Sequence, residues 1–499
     1  MSKVDSGIAR PSLNLRLENF RLFRDSTLFN LAPLTCLVGR NSSGKSSVLS
    51  AILLLKQSLE QESMGREITP LVLSGPYCDL GDYEDVVHNH TPSEAISFSF
   101  SMNVFDLKRA NWQGDAPFVD LSLRKDRYED DFYYARPTGE KLPDHGSVNA
   151  RLTFSVSRPF GPSLSRVEVG VSDMGTASCI RTIRGERKQH WRTYTKGIPP
   201  RSIEFHLAGQ RVFPWVSTRS AQYKRFDPRR KKLIKLFCTA SNLFFRFLEW
   251  TLSRSEVIGP FRPAPERRYV FGGFGASRGG PTGEQAVDFL ISETVLKSHG
   301  GRSLHGALAF WINHLKLAKS LRVKDLTNRQ NLFEVDIRGA GSSAESNLSD
   351  VGFGVSQVLP VLVQGLLMRR GGIYLVQQPE IHLHPDAQAG LADFFVYLAC
   401  HGVITVVETH SEHLLLRLRR RLAEGGKPLV AAPRNKEPVR PLSVEDVAVL
   451  YTGPERGGVV VKQLDLGESF QFENLPAGFM SQALDDRLAL LNAVGNRNA

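Results

Sequence analysis

Leu37-Val38-Gly39-Arg40-Asn41-Ser42-Ser43-Gly44-Lys45-Ser46-Ser47 decides how this chain is read. The stretch fits G-x-x-x-x-G-K-[ST], with an apolar run before it (Leu34 to Val38) and a helix-like run after it (Val48 to Leu55). Such a loop needs a strand that ends abruptly, backbone N–H groups that turn inward around phosphate oxygens, and a helix N-terminus that adds its positive dipole end. Gly39 and Gly44 permit the turns and the close approach, and Asn41, Ser42, Ser43 and Ser47 complete the cradle. Lys45 is spaced to reach the β- and γ-phosphates, and the Ser46 hydroxyl to ligate Mg²⁺.

The bulk properties narrow the setting. At 499 residues the chain is long enough for more than one core, and a catalytic domain carrying a large insertion is a natural organisation. A formal net charge of +12 permits a polyanionic partner without requiring one. The five cysteines, Cys36, Cys78, Cys179, Cys238 and Cys400, are odd in number and include no C-x-x-C pair, which argues against a disulfide framework and a structural zinc site. A reducing cytoplasm is the expected compartment. No charged-then-apolar leader opens the chain, and the apolar stretch near Leu359 to Met368 falls short of the roughly 20 residues a membrane span needs.

In chain order, Leu13 to Phe23 alternates as a half-buried strand does, and the helix after Lys45 is expected to run to about Glu62. Asp79 to Asp85 reads as an acidic surface loop. Short alternating runs follow at Ile96 to Met102, Phe118 to Leu123, Ala150 to Val156, Arg166 to Val171 and Ser202 to Leu207, which predict an antiparallel β insertion. Within it Arg181, Arg184, Arg187, Lys188, Arg192 and Lys196 interleave with Trp191 and Tyr194, a pattern that suits nucleic acid or a merely solvated face. Arg229, Arg230, Lys231 and Lys232 open a helix to about Leu252, and Val257 to Pro265 returns the chain to an extended path, where Arg262, Arg267 and Arg268 are placed to reach a nucleotide or a partner chain or to stand as surface arginines.

A second set of motifs lies far downstream. Leu348-Ser349-Asp350-Val351-Gly352-Phe353-Gly354-Val355-Ser356-Gln357 places small residues before a helix, Val358 to Met368. The apolar strand Ile373 to Val376 then leads to Gln377-Gln378-Pro379-Glu380 and His382-Leu383-His384-Pro385. A further strand, Val403 to Val407, ends at Glu408-Thr409-His410-Ser411, from which a helix, Glu412 to Ala423, departs with Arg417, Arg419, Arg420 and Arg421 along it. His382 and His384 lack a third ligand at a suitable spacing, so a structural or dimer-contact role is favoured over metal binding. The final segment gives strands at Val447 to Tyr451 and Gly458 to Leu464, then a mostly helical tail from Phe470, with no acidic cluster suited to two catalytic metals.

These motifs jointly resemble the ABC-type ATPases of the RecF, SMC and OLD-like kind, AAA-family ATP-binding proteins, in the bacterial branch that has a short C-terminal domain and occurs in anti-phage defence operons. The resemblance rests on Leu17-Glu18-Asn19-Phe20-Arg21, the phosphate loop, the signature-like turn DVGFGVSQVLP, QQPEIHLHP and ETHSEHLLLRLRRR, with His410 in the switch-histidine position. It covers both ends of the chain and implies a head-to-tail homodimer. Gly354, Ser356 and Gln357 of one subunit would then meet a nucleotide on the phosphate loop of the other. One departure bears on mechanism: the wider group carries an acidic pair at the strand end, its closest branch Glu-Gln, and here both positions, Gln377 and Gln378, are amides. An amide can orient water but cannot take its proton or neutralise Mg²⁺. Hydrolysis is then slow or absent, or Glu380 or Glu408 serves as base, or Gln377 replaces an acidic residue to trap bound ATP.

The expected fold class is α/β, an ABC-ATPase head without a long coiled coil. Residues 1–95 would form its N-terminal half, 96–255 a β-rich then helical insertion, 256–425 its C-terminal half, and 426–499 a small α+β domain. The expected site comprises Gln377, Gln378, Glu380 and His410 for chemistry, the phosphate-loop and signature residues for ATP, and Ser46 with Gln377 for Mg²⁺. The resemblance implies an ATP-driven switch controlling a separate effector such as a nuclease; a RecF-like DNA-repair ATPase and an ATP-bound inert scaffold are the alternatives.

Overall fold

A computed structural model describes residues 12–60, 71–109, 142, 145–157, 161–184, 188–199, 202–206, 212–218, 223–272, 280–296, 304–327, 329–339, 344–429, 441–455, 458–476 and 489. The chain opens with β1 (Leu13–Phe20), β2 (Phe23–Asp25), β3 (Phe29–Leu31), β4 (Leu34–Gly39) and α1 (Lys45–Glu60). A helical turn, α2 (Tyr83–Val86), precedes β5 (Ile96–Asn103) and α3 (Val104–Arg109), and β6 (Ser147–Ser157), β7 (Gly161–Val171), β8 (Gly175–Arg184) and β9 (Lys188–Lys196) follow. The pair β10 (Ile203–His206) and β11 (Trp215–Thr218) then leads to α4 (Pro228–Ser253). Next come β12 (Glu256–Ile258), β13 (Tyr269–Val270), α5 (Ala286–Leu296), α6 (Leu304–His314), β14 (Ser320–Asp325), β15 (Leu332–Arg338), β16 (Glu345–Asn347) and α7 (Phe353–Leu367). The remainder is β17 (Ile373–Gln377), α8 (Pro385–Cys400), β18 (Ile404–Glu408), α9 (Glu412–Ala423), β19 (Val447–Glu455) and β20 (Gly458–Leu464).

A sheet in the order β12-β17-β18-β4-β19-β20 forms the centre, parallel from β12 to β19. Its strands read as continuous apolar runs because both faces are covered. Alternate residues go to opposite cores: Leu37, Ile373, Leu375, Ile404, Val406 and Leu450 face α1 and α4, while Cys36, Val38, Tyr374, Val376, Val407 and Val449 face α5 to α9. The chain's two ends therefore meet in one sheet, with β4 from the N-terminal part between β18 and β19 from the C-terminal part.

The expected antiparallel sheet is present in the order β2-β1-β5-β6-β7-β8-β9, and β1 pairs with β5 from Asn14↔Ser101 to Glu18↔Ser97. The sheet thus runs across residues 95–96, and α4 packs on it with α1 through Phe237, Phe244 and Leu248. The strand expected at Phe118–Leu123 lies outside the described residues. At Asp79–Asp85 the exposed acidic segment expected from the sequence ends in one helical turn, α2. Asp82 and Asp85 form a capping box for α2, and the buried Tyr83 hydroxyl donates to the carbonyls of Glu94 (3.0 Å) and Phe154 (3.0 Å). The acidic residues Asp79, Asp82, Glu84 and Asp85 are exposed, and two of them also cap the turn.

The arginines on α9 also have destinations the sequence left open. Arg417 donates to the fully buried Asp393 at 2.8 Å, Arg421 donates to the same carboxylate, and His314 of α6 meets it at 2.8 Å. Arg419 reaches the Phe470 carbonyl, and Arg420 pairs with Glu424 at 2.7 Å, so this is not a free basic face. Burial alone would raise the Asp393 pKa, but the His314 and Arg421 hydrogen bonds and the arginine charges outweigh it and hold the carboxyl below 3.8. Because the folded value is depressed, the stabilisation is complete above the ordinary aspartate range and is lost as pH falls through the folded value. Asp393→Asn should cost about 3 kcal/mol, since it strands Arg417 and leaves Arg421 with Glu424 alone. Urea unfolding at neutral pH checks this, and the gap to the parent chain should close as the pH is lowered.

Candidate functional site

The carboxyl ends of β4, β17, β18 and β19 open on one edge of the parallel sheet, where such sheets place their ligands. The phosphate loop leaves β4 there and α1 starts at Lys45. Gly39 has φ +141°, and a Cβ on it would sit 2.3 Å from the Thr452 carbonyl, so only glycine fits between β4 and β19. Ser42 (φ +59°) and Gly44 (φ +100°) bend the loop inward through left-handed backbone. Ser43 Oγ lies 2.7 Å from Thr452 Oγ1, which bonds in turn to the Val38 carbonyl at 3.3 Å. Thr452 braces the loop from β19 and was not singled out from sequence; only the β4–β19 pairing reveals it. Asn41 and Ser42 are exposed on the loop, and Ser47 is buried in the first turn of α1.

Lys45 is buried, and its Nζ donates to the carbonyls of Gly39 (3.0 Å) and Arg40 (2.7 Å). Burial lowers its pKa, while the Glu408 and Glu380 carboxylates pull the other way. Opposite the loop, β17 and β18 end in register with Gln377 beside Glu408. The Ser46 hydroxyl donates to both oxygens of Glu408 (3.1 and 3.2 Å), and the Gln377 amide donates to Glu408 Oε2 at 3.3 Å. A carboxylate thus stands next to the Gln377 side chain, contributed by the neighbouring strand. Glu408 is 4% exposed, and burial raises its pKa against the opposing pull of Lys45, Ser46 and Gln377.

Gln378 turns the chain through φ +44° and donates its N–H to the Glu408 carbonyl at 2.8 Å. Among the described residues Glu380 makes no hydrogen bond to the phosphate loop's hydroxyls. Its Oε1 accepts the His410 backbone N–H at 2.6 Å, which ties the β17 turn to the switch loop after β18. Burial raises the Glu380 pKa against its hydrogen bonds. His410 itself is exposed, and partial burial followed by the Lys45 charge lowers its pKa, so it is neutral at neutral pH. His384 caps α8 by accepting from the Asp386 N–H at 3.3 Å, and His382 lies against the Phe353 ring at 6.0 Å. Among the described residues no group of three or more metal-ligating side chains of the His, Cys, Asp and Glu types is clustered.

The signature-like turn begins α7. Gly354 packs under the His382 carbonyl, where a Cβ would lie 3.1 Å away, and Ser356 Oγ donates to the Phe353 carbonyl at 3.0 Å. Gln357 is buried, its amide directed at the Arg262 carbonyl at 3.4 Å. Arg262 reaches the site from behind: its Nη2 donates to the carbonyls of Gln377 (2.8 Å) and Gln378 (3.3 Å). Arg267 and Arg268 instead pair with Asp350 and Glu334. Arg229, Arg230 and Lys232 are exposed at the start of α4. No helix among the described residues is long and apolar enough to cross a membrane.

No curated protein sequence matches. Among solved structures, an Smc head bound to the C-winged-helix domain of ScpA shares 11% identity at TM-score 0.42, covering 91% of this chain and 98% of that one. An Smc head with an extended coiled coil bound to the C-terminal domain of ScpA from Pyrococcus furiosus shares 11% at 0.39 (97% and 99%), and the SMC head domain from Thermotoga maritima 12% at 0.35 (91% and 99%). A family described as "AAA ATPase domain" matches residues 13–107 and 309–415, two stretches that the central sheet joins and that contain the phosphate loop, the signature-like turn, the strand-end glutamines, Glu408 and His410. The match supports an ATP-binding ATPase domain assembled from both ends of the chain.

Proposed function

We propose that this chain is an ATP-dependent switch of the ABC type, in which Glu408 takes over the cation-holding role of the acidic residue replaced by Gln377. The observation that carries the reading is the convergence of the Ser46 hydroxyl, the Gln377 amide and the buried Glu408 carboxylate on one spot beside Lys45. These are hard oxygen donors, one on the phosphate-binding loop and two at the facing strand ends, the donor chemistry that suits Mg²⁺. Ser46 and Glu408 would hold the ion, with the Gln377 oxygen as a neutral third group, and the ion would supply charge neutralisation at the phosphates.

The protein's own steps follow from the geometry. Lys45 exchanges its bonds to the Gly39 and Arg40 carbonyls for phosphate oxygens, while the inward-turned N–H groups of the loop hold the β-phosphate. Gln378 orients a water by hydrogen bonding but cannot take its proton, and His410, whose pKa is lowered by burial and by Lys45, is only a weak base for it. Turnover is therefore slow, and ATP acts mainly by occupancy. The nucleotide-bound state pairs two copies head to tail, each presenting Gly354 and Ser356 to the other's nucleotide, and Gln357 turns outward from Arg262 to join them. The client is a separate effector, a nuclease in an anti-phage operon, a reading supported by the motif resemblance at both ends of the chain. A DNA-handling role has one observation in its favour, the exposed Arg229, Arg230 and Lys232.

Sedimentation with and without Mg²⁺ and ATP tests the switch. The expected result is a monomer that becomes a dimer with ATP, and a Ser356→Arg variant that binds ATP and stays monomeric. Tight ATP binding with no change in assembly would overturn the switch and leave the inert scaffold.

A further inference from the structure

Arg262 follows β12 on the loop and is 7% exposed. Three elements meet on it: its Nη2 closes the β17 end at the Gln377 and Gln378 carbonyls, its own carbonyl accepts from Gln357 of α7, and its charge lies within the field of Glu380. Yet the guanidinium is only half used. Its Nε and Nη1 are shielded from solvent and have no hydrogen-bond partner among the described residues, and the same holds for Glu380 Oε2. No ion pair joins the two among the described residues, although each carries the charge the other needs. A buried guanidinium and a buried carboxylate that each keep unpartnered polar atoms, on segments already joined through the Gln377 and Gln378 carbonyls, form a costly arrangement. A second state of the molecule that joins the two would relieve that cost.

We propose that Arg262 and Glu380 are a positioning pair that is open in this state and closes when nucleotide engages the signature turn. The route is short. Gln357 must leave the Arg262 carbonyl to meet a nucleotide, which releases the loop after β12, and the guanidinium then reaches Glu380 Oε2. Glu380 holds the His410 N–H, so closure fixes the switch loop in response to an event on α7. Arg262 touches no substrate in this scheme; it acts through Glu380. Burial pushes the Arg262 pKa only to about 10, so the side chain stays charged at neutral pH in either state. The proposal rests on the nucleotide-switch reading above.

Hydrogen exchange on the full chain tests it, with Mg²⁺ and a non-hydrolysable ATP analogue as the probe. In the unmodified chain, nucleotide should slow the His410 and Ser411 amides by about tenfold or more. Arg262→Met and Glu380→Gln should each remove that slowing, and the double variant should remove no more than either single one, because one interaction is lost in all three. Arg262→Lys, which keeps the charge but not the fork, should recover only part of it. Additive losses, or slowing that survives Arg262→Met, would overturn the pair. Should the variants misfold, the unmodified chain still decides: no slowing with nucleotide demonstrably bound overturns the proposal alone. Absence of nucleotide binding, measured separately, would remove the switch reading and the proposal with it.

Discussion

Lys45→Ala is expected to lower ATP affinity by about 100-fold or more, the largest single effect at the phosphate loop. The ammonium is buried among carbonyls, and its two hydrogen bonds to the loop show that it already lies inside the cradle. Two charge-assisted bonds to phosphate at about 1.5–3 kcal/mol each would exceed a hundredfold change in Kd, and the exchange against the Gly39 and Arg40 carbonyls brings the net down toward that figure. Lys45→Arg should recover little, since the larger guanidinium has no room in the buried pocket. Titration with a fluorescent ATP analogue in Mg²⁺ checks both variants, and circular dichroism controls for folding. Unchanged affinity in Lys45→Ala would remove the phosphate-loop reading altogether.

The reasons this loop could be found in the sequence, while other parts of the site could not, are physical. The phosphate loop, the β17 end and the α9 start are contiguous stretches whose backbone chemistry is local, so glycine placement, apolar runs and capping residues disclose them. The helix from Lys45 is described through Glu60, its expected end near Glu62 lying outside the described residues, and Glu412–Ala423 and Gly458–Leu464 have the bounds the pattern predicts. Glu408 was visible only as one of two candidate bases. Its position beside Gln377 depends on the parallel pairing of β17 and β18, a contact across 31 residues that periodicity does not encode. Thr452 was illegible for the same reason, being 409 residues from Ser43 in the chain, and Arg262, legible as an arginine able to reach a nucleotide or a partner, gave no sign of its contact with Gln377, 115 residues away. A basic residue near a proline-rich turn reads as surface, and burial of Arg262 depends on the carbonyls that happen to face it.

Exchanging charge between the two strand ends gives the second large effect. Glu408→Gln should lower the Mg²⁺-dependent part of ATP affinity by about 30- to 100-fold, the worth of one charge-assisted contact of about 2–3 kcal/mol. It removes the carboxylate that accepts from Ser46 while leaving the volume, the Gln377 contact and the fold in place. Gln377→Glu in the same chain should return most of the loss, because β17 and β18 end in register and the new carboxylate would face the same hydroxyl. The single Gln377→Glu variant should instead raise turnover by at least about tenfold, since it supplies a second acidic group where Glu408 already holds the cation. It should also sharpen the pH dependence, as two carboxylates side by side disfavour joint ionisation. The sign for Glu408 is set by its raised pKa: the carboxylate is the form that holds the cation, so Mg²⁺-dependent binding weakens as pH falls, beginning above the ordinary glutamate range. In Glu408→Gln that pH dependence should vanish along with the affinity. Isothermal titration of ATP with and without Mg²⁺ across the pH range separates these outcomes. If Glu408→Gln binds Mg²⁺-ATP as the parent does, the carboxylate from β18 is a structural partner of Ser46, and the cation must be held by the phosphates and Ser46 alone.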